Sequence, residues 1–330
     1  MDLQKQRLGW IGLGSIGFPI CYGLFKSGYQ MVLPTYRRNS EQTHGFSPLA
    51  PDAAGKCARI DEMLAGGCLP SESSADLIGK SDIILLCMPT SVQVEQLITG
   101  EGGVLQCGRP GMTVIDLTSA DPICTQRLNQ ALEAKGIDLV DACVSGGIAG
   151  AIAQTLTIMA GGKREAFDRV RPILETIGSP EKLHYMGGSG TGDTMKCINN
   201  FLSALCTAAT TEAIMVAARA GIDPAYAAAV ISSGSGRNDA SMNKYPNLIF
   251  PGKDFNFTME LMLKDIYLFT QTAKALEVPA FLANTTAQLW RAAAAESGNK
   301  SDCLNLVRMF ERWCHVQVVG TGREKQDGNS

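Results

Sequence analysis

Near its beginning the chain reads Gly12-Leu13-Gly14-Ser15-Ile16-Gly17, a G-x-G-x-x-G turn. The apolar run 8–13 leads into this turn. A helical pattern from Phe18 to Lys26 follows the turn, and Gly28 ends it. In such a turn the first glycine permits a tight bend, and the second lets the backbone approach a pyrophosphate. The third glycine lets the helix pack closely on its strand. Strand, turn and helix together predict a dinucleotide-binding site formed by residues 12–17.

Short apolar runs recur through the first half of the chain, and helical patterns separate most of them. The runs lie at 29–36, 82–88, 112–117, 137–142, 155–160 and 182–186. This alternation predicts a parallel sheet covered by helices on both faces. Residues 39–75 are rich in Gly, Pro, Ser and Ala, and we expect them to be irregular.

The character of the sequence changes after Gly192. Residues Asp193–Ala220 contain neither Gly nor Pro, which predicts one helix of about 42 Å. Helical patterns continue to residue 318. The predicted fold class is α/β: a Rossmann-type, doubly wound parallel sheet over 1–188, then an all-helical domain over 189–319. A polar, flexible tail is predicted for 320–330.

Composition excludes several classes of protein. The net charge of −3 offers no basic surface for nucleic acid or an anionic membrane. The eleven cysteines form no C-x-x-C pair, and no signal-peptide pattern opens the chain, so we expect reduced thiols and a cytoplasmic location. No uninterrupted apolar run approaches the ~18 residues that span a bilayer. The three histidines lie in no motif, which disfavours a lactate- or malate-type enzyme that uses a His–Asp pair. No metal site is predicted.

The choice of dinucleotide depends on the residues about 20 positions beyond the glycine turn. That place reads Tyr36-Arg37-Arg38-Asn39-Ser40, with no acidic residue for a ribose 2′-hydroxyl. Arg37 and Arg38 would instead bind a 2′-phosphate, which predicts NADP as the cofactor, with NAD as the alternative. The competing interpretation is a solvated basic loop.

Lys196 and Asn200 are candidates for the chemistry. They are four residues apart on the predicted long helix, so they share one face. A lysine near the start of a helix experiences an unfavourable dipole, and a lysine within an apolar segment is unusual. Both effects favour loss of its proton, which suits a general acid and base. The alternative is a lysine whose side chain extends to the surface.

Several segments resemble the β-hydroxyacid dehydrogenase family, which includes 3-hydroxyisobutyrate dehydrogenase, tartronate semialdehyde reductase and L-threonate dehydrogenase. They are the opening turn, Asp116–Pro122, Val140–Gly147, Gly150–Gly162, Gly190–Asn200 and Leu261–Asp265. The resemblance covers nearly the whole chain in the right order. It implies hydride transfer between NAD(P) and a small 3-hydroxy acid or its semialdehyde or keto form.

The resemblance also implies roles for individual residues. Lys196 matches the general acid and base, and Asn200 matches the residue that orients the substrate. The loop that binds the substrate carboxylate corresponds to Ser145, Gly146 and Gly147, a backbone arrangement suited to anions. Four more residues match cofactor contacts of the family: Met88, Pro89, Ser119 and Lys264.

The chain departs from the family pattern in three places. Cys143 replaces the proline that usually precedes Val-Ser-Gly-Gly, and Gln154 replaces a customary glycine. The segment from Thr43 to about Gly55 resembles an insertion near the adenine end of the cofactor. None of these changes affects the proton-transfer residues, so they concern specificity rather than reaction type.

Two alternative functions remain. An imine reductase-like NADPH enzyme shares the architecture but generally lacks the Ser-Gly-Gly loop and the lysine. A non-catalytic NADP-binding relative would have no need to retain the four residues Lys196, Asn200, Ser145 and Lys264. The alanine- and methionine-rich helical half also predicts a homodimer or homotetramer, because it is too apolar to stand alone.

Overall fold

The computed structural model describes residues 5–35 and 53–321, with only the backbone for 53–57. The chain divides into two compact units, Met1–Lys196 and Cys197–Ser330. Arg37, Arg38 and most of the proposed insertion lie outside the described residues, as does most of the polar tail.

The first unit contains an eight-stranded sheet, in the order β3-β2-β1-β4-β5-β6-β7-β8. Its strands are β1 (Arg7–Ile11), β2 (Gln30–Pro34), β3 (Leu69–Ser71), β4 (Ile83–Leu86), β5 (Thr113–Asp116), β6 (Asp138–Ser145), β7 (Leu156–Gly162) and β8 (Gly178–Gly187). Neighbouring strands are parallel except β6 and β7, which are antiparallel. The predicted doubly wound parallel sheet is therefore confirmed, except that the strand direction reverses once, between β6 and β7. The connection between β6 and β7 is too short for a parallel crossover, which needs a dozen or more residues.

Helices connect these strands. They are α1 (Gly17–Lys26), α2 (Ala53–Ala65), α3 (Ser74–Lys80), α4 (Ser91–Thr99), α5 (Val104–Cys107), α6 (Pro122–Glu133), α7 (Gly147–Ala153) and α8 (Arg164–Ile177). The expectation of irregular structure over 39–75 is wrong for α2 and β3. Ile60 and Met63 are three residues apart and both buried, so α2 has an apolar face that anchors it. Pro70 is tolerated in β3 because this strand forms one edge of the sheet.

Both faces of the sheet are buried, as β4 illustrates. Ile83 and Leu85 belong to one apolar cluster, whereas Ile84 and Leu86 belong to another. Because successive side chains of a strand point to opposite faces, each face of β4 packs against its own layer. Burying a side chain of this size contributes roughly 1.5–3 kcal/mol to the stability of the fold. Because both faces of the sheet are buried, its strands are continuous apolar runs in the sequence.

Among its described residues, the regular elements of the second unit are all helices, apart from one bridge between Thr258 and Asp302. Helix α9 (Thr191–Arg219) contains the boundary between the units, and it matches the long helix predicted over 193–220. The other elements are α10 (Pro224–Ser233), a π-helix (Ala240–Ile249), α11 (Met259–Ala275), α12 (Phe281–Ser297) and α13 (Asn305–Cys314). The predicted all-helical C-terminal region is therefore confirmed.

Helix α9 is long and apolar enough to cross a membrane by length and composition alone. An 18-residue window of it reaches a mean hydropathy of 1.5, although no uninterrupted apolar run of that length is present. The core helix of a soluble protein meets the same criteria, so this feature is weak evidence for a membrane.

Candidate active site

The glycine turn has the backbone that its sequence requires. Gly12 has a φ of +106°, and a Cβ there would lie 2.1 Å from the carbonyl oxygen of Cys87. At Gly17 a Cβ would lie 2.0 Å from the carbonyl oxygen of Gly12. At Gly14 a Cβ would meet no atom within 4 Å. Gly12 and Gly17 therefore permit close packing, whereas Gly14 leaves the backbone accessible to a ligand.

The turn lies beside the ends of two neighbouring strands. β1, β4 and β5 are adjacent and parallel, so their carboxyl ends share one edge of the sheet. The amide of Met88, just beyond β4, donates a 2.9 Å hydrogen bond to Thr118 Oγ1, just beyond β5. Strand order reverses between β1 and β4, and open α/β sheets bind ligands at such a point. The structure thus brings the glycine turn, Met88 and the segment of Ser119 to one edge.

Asp116 holds the loop that follows β5. Its Oδ1 accepts a 2.9 Å hydrogen bond from the amide of Thr118. Burial, and then the charge of Asp193, raises the pKa of Asp116 to about 8. This carboxyl group therefore keeps its proton at neutral pH.

The loop expected to bind a carboxylate follows directly from β6. Ser145 ends the strand, and Gly146 and Gly147 have φ angles of +135° and +63°. Successive left-handed positions favour glycine, which explains the Gly-Gly pair. Gln154, at the end of α7, also has a left-handed φ, +54°, consistent with the glycine usual at that place in the family.

A buried carboxylate of β6 contacts the start of helix α9. Asp141 accepts hydrogen bonds from the amides of Gly190 and Gly192 at 2.9 Å, and from the amide of Asp193 at 3.2 Å. A carboxylate at this position binds amides that lack partners within the helix. Burial, and then the neighbouring Asp193, raises the pKa of Asp141. The strand that carries Ser145 is thereby connected to the helix that carries Lys196.

Lys196 lies in the second turn of α9, and only 9% of its surface is exposed. The alternative of a lysine that extends into solvent is therefore wrong. Burying an ammonium group is costly unless other groups stabilise it. The burial of Lys196 therefore distinguishes it from most helical lysines.

The second unit contains Asn200 and Lys264, the residues predicted to contact the substrate and the cofactor. Nδ2 of Asn200 donates a 2.5 Å hydrogen bond to Asp265 Oδ2, and its Oδ1 accepts one of 3.0 Å from Asn199 Nδ2. Lys264 Nζ lies 3.0 Å from Asp265 Oδ1. Asp265 thus connects Asn200 with Lys264. The sequence analysis assigns no role to Asp265, although an acidic residue within a mostly apolar helical segment is a signal for one.

The described residues contain neither a metal cluster nor a disulfide. Among the described residues, no group of three or more His, Cys, Asp or Glu side chains is arranged to hold a metal ion. The ten cysteines that the structure describes are all free thiols.

Comparisons with known proteins agree with this architecture. Residues 7–188 match the model of the NAD binding domain of 6-phosphogluconate dehydrogenase. Residues 190–310 match the model of the NAD-binding domain of NADP-dependent 3-hydroxyisobutyrate dehydrogenase.

Individual relatives cover nearly the full length. The chain is 30% identical to 2-(hydroxymethyl)glutarate dehydrogenase of Eubacterium barkeri, over 96% of this chain and 99% of that protein. It is 32% identical to 2-hydroxy-3-oxopropionate reductase of Escherichia coli, over 93% and 97%. A solved structure of 3-hydroxyisobutyrate dehydrogenase from Salmonella typhimurium superposes with a TM-score of 0.74 at 26% identity, covering 93% of this chain and 100% of that one.

Proposed function

Because the chain belongs to the β-hydroxyacid dehydrogenase family of NAD(P)-dependent oxidoreductases acting on CH–OH groups, we propose a specific reaction for it. The enzyme transfers a hydride between NADP and a small 3-hydroxy acid or its semialdehyde or keto form, with Lys196 as general acid and base. The observation that carries this proposal is the contact of Asp141 with the start of α9. It holds the lysine helix against the strand that ends in the Ser145–Gly147 loop.

The residues of the glycine turn fit the cofactor. Gly14 leaves open space beside the backbone, so a pyrophosphate could approach the turn at the start of α1. Met88, Pro89 and Ser119 would contact the nucleotide at the same edge, with Lys264 as a further contact. Arg37 and Arg38 would bind the 2′-phosphate of NADP, with NAD as the alternative. When bound, the nicotinamide supplies the hydride in reduction and accepts it in oxidation.

Lys196 would move the proton. Hydride arrival at a carbonyl carbon leaves negative charge on the substrate oxygen, and a nearby ammonium stabilises that charge and donates its proton. In the oxidation direction the neutral amine accepts the hydroxyl proton. Burial of Lys196 strengthens these interactions because little water competes. General acid catalysis of this kind contributes roughly 10²–10⁴-fold to the rate.

Separate groups would hold the substrate. The hydroxyl of Ser145 and the amides of Gly146 and Gly147 would bind its carboxylate. Asn200 has a fixed orientation, because its oxygen accepts from Asn199 and one amide hydrogen goes to Asp265. The second hydrogen on Nδ2 is the one that would contact a substrate oxygen.

We also propose a domain boundary at about residue 188, where one family model ends and the next begins, although the two compact units divide later, within α9. A cytoplasmic location and a homodimer or homotetramer are proposed as well. The reduced thiols support the location. Large apolar side chains exposed on the helical unit support assembly, among them Val216, Tyr226 and Phe281. No nucleic acid or membrane partner is proposed.

A substrate panel tests the proposed reaction. Three- and four-carbon 3-hydroxy acids and semialdehydes are assayed with NADPH and NADH, and a cyclic imine is included. We expect turnover with at least one acid or semialdehyde and its loss in Lys196→Ala. Reduction of the imine alone would establish the imine reductase alternative. NADPH binding without any turnover would establish the non-catalytic one.

A further inference from the structure

One buried carboxylate, Asp193, contacts three separate segments of the first unit. Its Oδ1 accepts hydrogen bonds of 3.0 Å from the amide of Ala120 and from Cys143 Sγ. Its Oδ2 accepts a 2.7 Å hydrogen bond from Thr125 Oγ1. Asp193 is 1% exposed, so these contacts are shielded from water and geometrically constrained.

Two of the three segments that meet at Asp193 are assigned to the proposed site. Ala120 directly follows Ser119 in the loop proposed to contact the cofactor. Cys143 precedes Ser145 by two residues on β6. Asp193 itself precedes Lys196 by three residues, which is about one turn of α9. A displacement of this carboxylate would therefore displace the lysine relative to both loops.

Cys143 is the second buried group of this arrangement. Its thiol lies 3.0 Å from both Thr118 O and Asp193 Oδ1, so its single hydrogen has an acceptor in the cofactor loop and another in α9. Burial, and then the charge of Asp193, raises the pKa of the Cys143 thiol, which therefore remains a donor.

We infer that Asp193 and Cys143 are positioning residues, which together hold the helix of Lys196 in register with the cofactor loop and the substrate loop. Neither side chain needs to touch the substrate in this role. The inference rests on the proposed function, since it assigns a purpose to the contacts between those segments. Small displacements of catalytic groups are costly: a shift of about 1 Å lowers rates by up to roughly 100-fold.

Cysteine variants test the inference. Cys143→Ala removes the thiol, Cys143→Ser restores a donor, and Cys21→Ala is the matched control. Cys21 is also fully buried in the first unit, so its truncation leaves a similar cavity away from Asp193. We expect Cys143→Ala to lower kcat at least about tenfold, within the range that misplacement explains. Cys143→Ser should recover most of this loss, and Cys21→Ala should stay within about twofold of the native kcat.

Hydrogen exchange supplies a second measurement that needs no turnover. In Cys143→Ala, the amides of Ala120 and of residues 190–196 should exchange at least about tenfold faster than in Cys21→Ala, because they lose a shared anchor. Equal kcat in the two alanine variants, or no recovery in Cys143→Ser, would overturn the inference. If the native chain turns over no substrate of the panel, the proposed function has failed. Hydrogen exchange alone then tests the positioning role, and equal exchange rates in Cys143→Ala and Cys21→Ala would overturn the inference.

Discussion

The amide of Asn200 and the carboxylate of Asp265 form a 2.5 Å hydrogen bond across 65 residues of sequence. Asp265 is 2% exposed, and its other oxygen lies 3.0 Å from Lys264 Nζ. The carboxylate therefore fixes which way the Asn200 amide faces and neutralises a lysine beside it. Both neighbours are residues for which we propose a binding role.

Removal of Asp265 tests this relationship. Hydrogen bonds to charged groups contribute about 1.5–3 kcal/mol, so we expect Asp265→Ala to raise the substrate KM roughly 10- to 100-fold. Asp265→Asn retains an acceptor for Asn200 but loses the charge beside Lys264, so its KM should be intermediate. Steady-state kinetics on both variants provide the measurement. A substrate KM that stays native in Asp265→Ala would show that the orientation of Asn200 does not matter for binding.

Lys196 is tested by substitution. We expect Lys196→Ala to lower kcat by roughly 10²–10⁴-fold, because the developing charge on the substrate oxygen loses its proton donor. Lys196→Arg should rescue little, since arginine keeps its proton and has a different reach. NADPH affinity, measured by fluorescence titration, should remain almost native. Lys135→Ala, at an exposed lysine, serves as the control. A Lys196→Ala variant that retains more than about a tenth of the native kcat contradicts the assignment.

Cofactor preference is tested at Arg37. The native enzyme should have a higher kcat/KM with NADPH than with NADH, because we propose that Arg37 and Arg38 pair with the 2′-phosphate. Arg37→Asp should reduce that ratio at least about tenfold, as loss of a charged hydrogen bond implies. The exposed Arg308 gives a matched control as Arg308→Asp. Equal or better use of NADH by the native enzyme would refute NADP preference.

Stability should depend on pH through Asp116. Its pKa is about 8 in the folded protein, against an ordinary value of 3.8, so the folded state binds the proton more tightly. The resulting stabilisation is complete below pH 3.8 and is lost as the pH rises to about 8. Between pH 5 and pH 7 this one group can lower the free energy of unfolding by up to about 1.4 kcal/mol per pH unit.

The variant Asp116→Asn isolates this effect. Its side-chain oxygen can still accept from the amide of Thr118, but it cannot ionise. We expect its free energy of unfolding, from denaturant titrations at pH 5, 6, 7 and 8, to fall less steeply with pH than that of the native protein. Asp168→Asn, at an exposed carboxylate, should leave the native slope unchanged. Parallel slopes for Asp116→Asn and the native protein would refute the pKa assignment.

Assembly is tested at the helical unit. Phe281 is 82% exposed and Leu282 is 64% exposed, which is costly for large apolar side chains unless a partner covers them. We expect light scattering at micromolar concentration to give a dimer or tetramer, and Phe281→Asp to weaken it. Asn243→Asp, at an exposed polar position, controls for added charge. A native monomer under these conditions would refute the proposed assembly.

Local patterns in the sequence determined much of this protein. The glycine turn, the parallel strands and helix α9 were predictable because apolar periodicity and glycine placement act over a few neighbouring residues. Lys196 and Asn200 could be proposed from their spacing on one helix, whereas Ser145 could be proposed only from the resemblance to the family.

The tertiary structure alone decided the reversal at β7, the π-helix and the partners of the buried acids. π-helices are rare, so no local pattern predicts one. Asp193 meets Cys143 across 50 residues and Thr125 across 68, and Asn200 meets Asp265 across 65. A sequence shows that such polar residues exist, but their partners depend on which distant segments pack together. Because a buried polar group must find a partner within hydrogen-bond distance, only the folded chain determines which one it is.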